Sequence, residues 1–234
     1  MSLVAAPVTA QGSDKPLFMD GIFGNYRLQE MEQREGLILW LHYKKGGIAM
    51  RKNFGPKPCV YPEPVLIIAT YGEDGTPDAM NAAWGGISEE VEISICLSPE
   101  HKTVENILFR KAFTVSMATV SQVVACDYVG IVSGNNVPDK FARAGFHAIK
   151  SDFVDAPLIA ELPMALECKL ISYDSESCRL VGEIMNVCAE EEILTNGKID
   201  PAKLQPIIYD RMNHDYYAFG KKVGKAFHDG VKLK

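Results

Sequence analysis

Three stretches of the sequence carry residue types that can hold a flat, phosphorylated molecule. In Ser98-Pro99-Glu100-His101-Lys102-Thr103, Ser98 suits a helix cap, Pro99 the first helical position and Glu100 the first turn. A helix N-terminus offers free N–H groups and a partial positive charge to a phosphate; Lys102 and His101 add cations, and Ser98 and Thr103 add hydroxyls. In Met80-Asn81-Ala82-Ala83-Trp84-Gly85-Gly86, small residues let a planar ring approach the backbone. Asn81 brings a donor and an acceptor, and Trp84 a wall. Alone, that stretch reads more simply as a strand end running into a Gly-Gly turn. The third stretch, Gly130 to Phe141, contributes a polar loop with Ser133 and one cation, Lys140; alone it reads as a turn between helices.

Other chemistries find little support. No Gly-rich phosphate loop of the dinucleotide-binding or P-loop type occurs, and no G-x-S-x-G elbow. The five histidines are scattered without metal-ligand spacing, and the six cysteines form no C-x-x-C pair. Most cysteines lie in apolar runs, as reduced, packed thiols of a cytoplasmic protein do, although Cys168 and Cys178 can fall on adjoining strands and pair. Tyr209, Tyr216, Tyr217 and Phe219 read as packing rather than as a stacking platform. The terminal lysines from Lys221 read as a solvated end, with attraction of a phosphorylated nicotinamide nucleotide as the alternative.

The elements that must position these stretches are mostly strands. Val65 to Tyr71 is a continuous β-branched run, as a strand buried on both faces would be, and Glu73-Asp74-Gly75-Thr76-Pro77 is turn chemistry leading to a return strand over Asp78 to Trp84. Val91 to Leu97 alternates like a half-buried strand. A helix is expected from Ser98, then a strand over Phe113 to Ala118 and a helix over Val123 to Val132. A short helix over Pro138 to Ala144 follows, and then a long hairpin, Pro163 to Tyr173 and Cys178 to Val187.

The chain of 234 residues is 47% hydrophobic and 23% charged, enough for one good core. Its formal charge of -6 disfavours nucleic acid as a partner. The apolar run Gly36 to Leu41 is far short of the ~20 residues of a membrane-spanning helix. Residues 1–49 balance five acidic against five basic side chains, so the whole net charge falls in residues 50–234. Residues 27–42 fit an amphipathic helix. Lys44-Lys45-Gly46-Gly47 before Met50 is encodable by a purine-rich stretch of ribosome-binding type. Met50 is therefore the expected natural start and 1–49 a translated leader, with a real N-terminal arm as the alternative; the mass of the native protein decides between them.

Taken in order, these segments resemble the flavin reductase-like family, and flavoredoxins within it. The resemblance runs from about Met50 to the end. It is carried by Val60-Tyr61-Pro62-Glu63-Pro64-Val65, Asn81-Ala82-Ala83-Trp84-Gly85-Gly86-Ile87, His101-Lys102-Thr103, Gly130-Ile131-Val132-Ser133-Gly134, Asp139-Lys140-Phe141, Leu166-Glu167-Cys168-Lys169 and Tyr216-Tyr217-Ala218-Phe219-Gly220. It implies a mainly β fold with short helices, an FMN-binding split β-barrel, working as a homodimer with FMN held non-covalently. It also implies that Met80, Asn81, Ala82, Ala83 and Trp84 lie along the ring and ribityl chain, that Ser98, His101, Lys102 and Thr103 hold the phosphate, and that Ser133 and Lys140 lie nearby. Asp78 and Asn81 depart from the family's commoner Asn and Thr. The implied activity is an NADH- or NADPH-dependent flavin reductase, or an electron carrier serving a redox protein partner. A non-redox barrel binding another phosphorylated ligand is the remaining alternative. Flavin supplies its own redox chemistry, so no catalytic side chain and no metal are expected.

Overall fold

The computed structural model describes residues 51–234. The expected leader or arm over 1–49, its helix over 27–42 and the Met50 start lie outside them. Backbone contacts divide the chain after Lys57, and the unit Pro58–Lys234 contains the elements that follow. They begin with β1 (Glu63–Pro64), β2 (Leu66–Tyr71), β3 (Pro77–Ala82), β4 (Gly85–Glu89) and β5 (Glu92–Cys96), then α1 (Lys102–Arg110), β6 (Ala112–Met117), α2 (Val123–Ile131) and α3 (Lys140–Arg143). After these come β7 (Ala148–Lys150), β8 (Pro157–Ile159), β9 (Met164–Asp174), β10 (Arg179–Ala189), β11 (Leu194–Thr195), β12 (Lys198–Ile199), α4 (Pro201–Leu204), β13 (Ile207–Asp210) and β14 (Asp215–Ala218).

Seven strands form one antiparallel sheet in the order β3-β2-β6-β9-β10-β5-β4. Its edges, β3 and β4, are joined by Ala83 and Trp84 alone. Three peptide units from Ala82 to Gly85 span at most about 11 Å. The edges of a flat seven-stranded sheet would lie roughly 29 Å apart. The sheet therefore curls into a half-barrel, the split-barrel class expected from the sequence.

Two cores follow from that curl. Inside it, Leu66, Ile68, Met80, Ile95, Phe113 and Leu180 pack together, and Val104 and Ile107 of α1 plug the interior. Outside it, Val65, Ile67 and Ala69 meet Cys126 and Val129 of α2, with Phe141 and Phe146 beyond. β2 is thus covered on both faces, which accounts for its unbroken apolar run. β5 turns Ile93 and Ile95 inward and Cys96 outward, as its alternation requires. Gly182 of β10 lies under the Phe113 ring: a Cβ there would stand 2.4 Å from Phe113 Cζ.

Three local expectations are corrected. The helix expected from Ser98 begins at Lys102, with His101 as N-cap and no side-chain cap bond. Leu97 is held extended, since its N–H donates to Cys178 O (2.8 Å) and its carbonyl accepts from Tyr173 Oη (2.8 Å). Ser98 to His101 then form a turn closed by the His101 N–H on Ser98 O. The return strand stops at Ala82, and Gly85-Gly86 is not a turn but the start of β4. A Cβ on Gly85 would sit 3.0–3.2 Å from Leu66, Ile95 and the Ser94 carbonyl, so that glycine allows the edge to close. All six cysteines are free. Cys168 is buried opposite Phe113 and Ile184, whereas Cys178 lies in the turn beyond Asp174, roughly 20 Å along the strand, so the two cannot pair. Burial pushes the Cys126 and Cys168 thiols up to about 12, while Cys59 and Cys96 are exposed. Among the described residues no helix is long and apolar enough to cross a membrane.

Candidate functional site

Edge strand β3 carries a cleft at each end. The first, about 340 Å³, is lined by Asp78, Thr76, Lys102, Asn106, Gly134 and neighbours in the β2–β3 turn. Behind it lies a buried charge network. Asp78 Oδ1 stands 3.3 Å from Lys140 Nζ, and both residues are nearly inaccessible. Asp78 Oδ2 accepts from Thr103 Oγ1, and Lys140 Nζ also donates to Val132 O (3.2 Å). A buried charge is tolerable only when so paired and hydrogen-bonded. Gly134 closes the arrangement, since a Cβ there would meet Asp78 Oδ1 at 2.8 Å and Lys102 Cβ at 3.1 Å. Asn135 Nδ2 donates to Glu100 O (3.0 Å), tying the loop after α2 to the turn before α1. Lys102 is half-buried and makes an exposed pair with Glu105 (2.7 Å). Such a pair contributes little, which leaves the ammonium free to turn to another anion.

The second cleft, about 350 Å³, is lined by Asn81, Ala82 and Ala83 of β3 and its exit, by Asp127 and Gly130 of α2, and by Tyr209, His214 and Tyr216. Its size is in the range of small-molecule pockets. Asn81 Nδ2 donates to Cys126 O (3.2 Å), and a Cβ on Gly130 would stand 2.8 Å from Asn81 Cβ, so α2 packs on β3 only because that residue is glycine. The β13–β14 hairpin supplies an aromatic wall. The Tyr209 and Tyr216 rings lie 5.8 Å apart, Tyr216 Oη donates to Asp127 Oδ1 (2.8 Å), and Tyr209 Oη pairs with His214 Nδ1 (2.7 Å). Burial, and next the hydrogen bond to Asp127, hold the Tyr216 phenol protonated well above the usual tyrosine range. Trp84 is 45% exposed beside this cleft, with the Arg211 guanidinium carbon 4.6 Å from its ring centroid.

The three sequence stretches thus converge on β3. Asn81, Ala82 and Ala83 line one cleft and Lys102 the other, with Thr103 and Lys140 directly behind the latter. Met80 turns its side chain into the inner core. Ser98, His101 and Ser133 are exposed, and Ser133 Oγ accepts from the Asn135 N–H. Sequence reasoning missed the aromatic wall and Asp127. In the sequence the tyrosines read as packing, although Ile207–Asp210 and Asp215–Ala218 flank a four-residue turn in a hairpin pattern.

With this geometry in place, the comparison with known families is decisive. Residues 59–215 match the model described as the flavin reductase like domain, and the chain belongs to that family. Flavoredoxin of Desulfovibrio vulgaris (Miyazaki F) is 38% identical, covers 77% of this chain and 100% of its own, and superposes with a TM-score of 0.74. Flavoredoxin from Methanosarcina acetivorans is 25% identical over 80% of this chain and 100% of its own, TM-score 0.72. An FMN-binding domain of a flavin reductase-like enzyme from Shewanella baltica OS155, 22% identical with a TM-score of 0.63, shares the fold.

Proposed function

We propose that this chain, as a homodimer, holds FMN non-covalently along β3 and passes electrons through it. The carrying observation is the pair of clefts at the two ends of one edge strand. Small residues and a tyrosine wall occupy one end, and the α1 N-terminus with Lys102 the other. Asp78 and Ala82 are about 13 Å apart along the strand, a span suited to a ring at one end and a phosphate at the other. The residues fit such a group. Ala82 and Ala83 leave room for a plane, Asn81 presents its amide beside it, and Tyr209 and Tyr216 exclude water. Lys102 and the first N–H groups of α1 would hold the phosphate, while the Asp78–Lys140–Thr103 network holds those groups in place. When bound, FMN accepts and returns electrons; the side chains bind and orient it and keep water from its ring.

α2 supports the dimer. It turns Asp127 to the second cleft, while Val124 is 81% and Ile131 74% exposed, an apolar face that a second copy would cover. Native mass spectrometry should show a dimer carrying two FMN, and a monomer without flavin would defeat the reading. The electron source is either NADH or NADPH, as in a flavin reductase, or a redox protein. The likeness to two flavoredoxins favours the carrier. An anaerobic titration separates them: bound flavin that stays oxidised under excess NADH and NADPH but accepts electrons from a ferredoxin-type donor is a carrier's. Lys102→Ala should weaken FMN binding about tenfold, by about 1–2 kcal/mol, the scale of one charge-assisted hydrogen bond. An unchanged Kd by fluorescence quenching would remove Lys102 from the phosphate site.

A further inference from the structure

Arg211 lies in the turn between β13 and β14, two residues after Tyr209 and three before His214, both of which line the second cleft. Its guanidinium carbon is 4.6 Å from the Trp84 ring centroid and 5.9 Å from that of Tyr209. Trp84 directly follows Ala82 and Ala83 of the same cleft, so this cation is held at the cleft's rim by two aromatic faces. Its charge is incompletely answered. Nη2 stands 3.4 Å from Glu63 Oε1, a long pair, and Nε is buried without a partner among the described residues. The neighbouring carboxylates are engaged elsewhere: Asp210 accepts from Tyr61, the Met212 N–H and Asn213, and Asp127 accepts from Tyr216.

We propose that Arg211 is a positioning and tuning residue that favours the reduced, anionic form of the bound flavin over the oxidised form. The inference rests on the FMN reading above. Uptake of two electrons and one proton leaves the flavin ring with one more negative charge than it had when oxidised. A fixed guanidinium at the rim of a partly desolvated cleft stabilises that charge and does little for the neutral ring. Glu63, buried behind the guanidinium, opposes this effect and sets its size.

The test measures Kd for oxidised FMN in air and for dithionite-reduced FMN under anaerobic conditions, on the full chain and three variants. Arg211→Met should weaken binding of the reduced form about tenfold more than that of the oxidised form, which equals a two-electron potential lower by about 30 mV. Arg211→Lys, which keeps the charge, should retain most of the parent's ratio. Glu63→Gln should move the ratio the other way, and it keeps the proposal open to refutation if Arg211→Met fails to fold. Equal weakening of both forms in Arg211→Met, or a Glu63→Gln ratio like the parent's, would reduce Arg211 to a packing contact on Trp84. A parent that binds neither form would overturn the FMN reading itself and this proposal with it.

Discussion

Lys140→Met should cost the protein about 3–5 kcal/mol of stability, read as a lower urea midpoint at unchanged slope. The ammonium is the cation paired with Asp78, and both side chains are less than a tenth exposed. Methionine fills much of the lysine's volume, so the loss is electrostatic. The Asp78 carboxylate would keep one hydrogen bond, from Thr103, and no counter-charge. It would then protonate, recruit water or move, and each course costs free energy. The double variant Lys140→Met with Asp78→Leu should recover most of the loss, because an apolar pair leaves no charge unanswered. A Lys140→Met variant within 1 kcal/mol of the parent would show that water reaches Asp78. The first cleft should suffer in the same variant, since Asp78 Oδ1 is the atom against which Gly134 packs.

Phe113→Ala should cost a similar amount, about 3–5 kcal/mol, by opening a cavity in the inner core. The ring is fully buried between β2, β9 and α1 and covers Gly182 on β10. β10 cannot simply close the gap, because it is pinned by β9 on one side and β5 on the other. Gly182→Ala in the parent should also destabilise, since its methyl would meet the ring edge at 2.4 Å. Combined with Phe113→Leu, the added methyl should instead recover part of the loss. That sign change between backgrounds marks two residues sharing one space. Additive effects, measured by thermal or urea unfolding, would contradict the packing described here.

Much of the half-barrel was legible in residue order alone. β2, β5, β6, α2, α3 and the β9–β10 hairpin fall within a few residues of where periodicity and turn chemistry put them. Burial pattern and backbone preference are local properties, and they agree along these segments. The misplaced start of α1 shows where locality fails. Ser98-Pro99-Glu100 is sound helix-start chemistry, overruled by Cys178 and Tyr173, residues more than 70 positions away that hold Leu97 extended. Gly85-Gly86 fails in the same manner. Two glycines read as a turn because their packing partners, Leu66 and Ile95, are not visible in the local sequence.

The site divides along the same line. By itself the sequence determined which segments carry binding chemistry: Asn81 to Trp84, Ser98 to Thr103, and Gly130 to Lys140. Residue type decides hydrogen-bonding capacity, charge and room for a ring, and their order carried the family resemblance. Only the tertiary structure decided that β3 is the edge along which they meet. It alone showed that Lys140 and Thr103 answer a buried Asp78, that Met80 turns inward, and that a distant hairpin brings Tyr209, Tyr216 and Arg211 to the second cleft. The physical reason is that a side chain's partner is set by sheet order and curl. Those are fixed by pairings between strands far apart in the chain, and no local pattern encodes them.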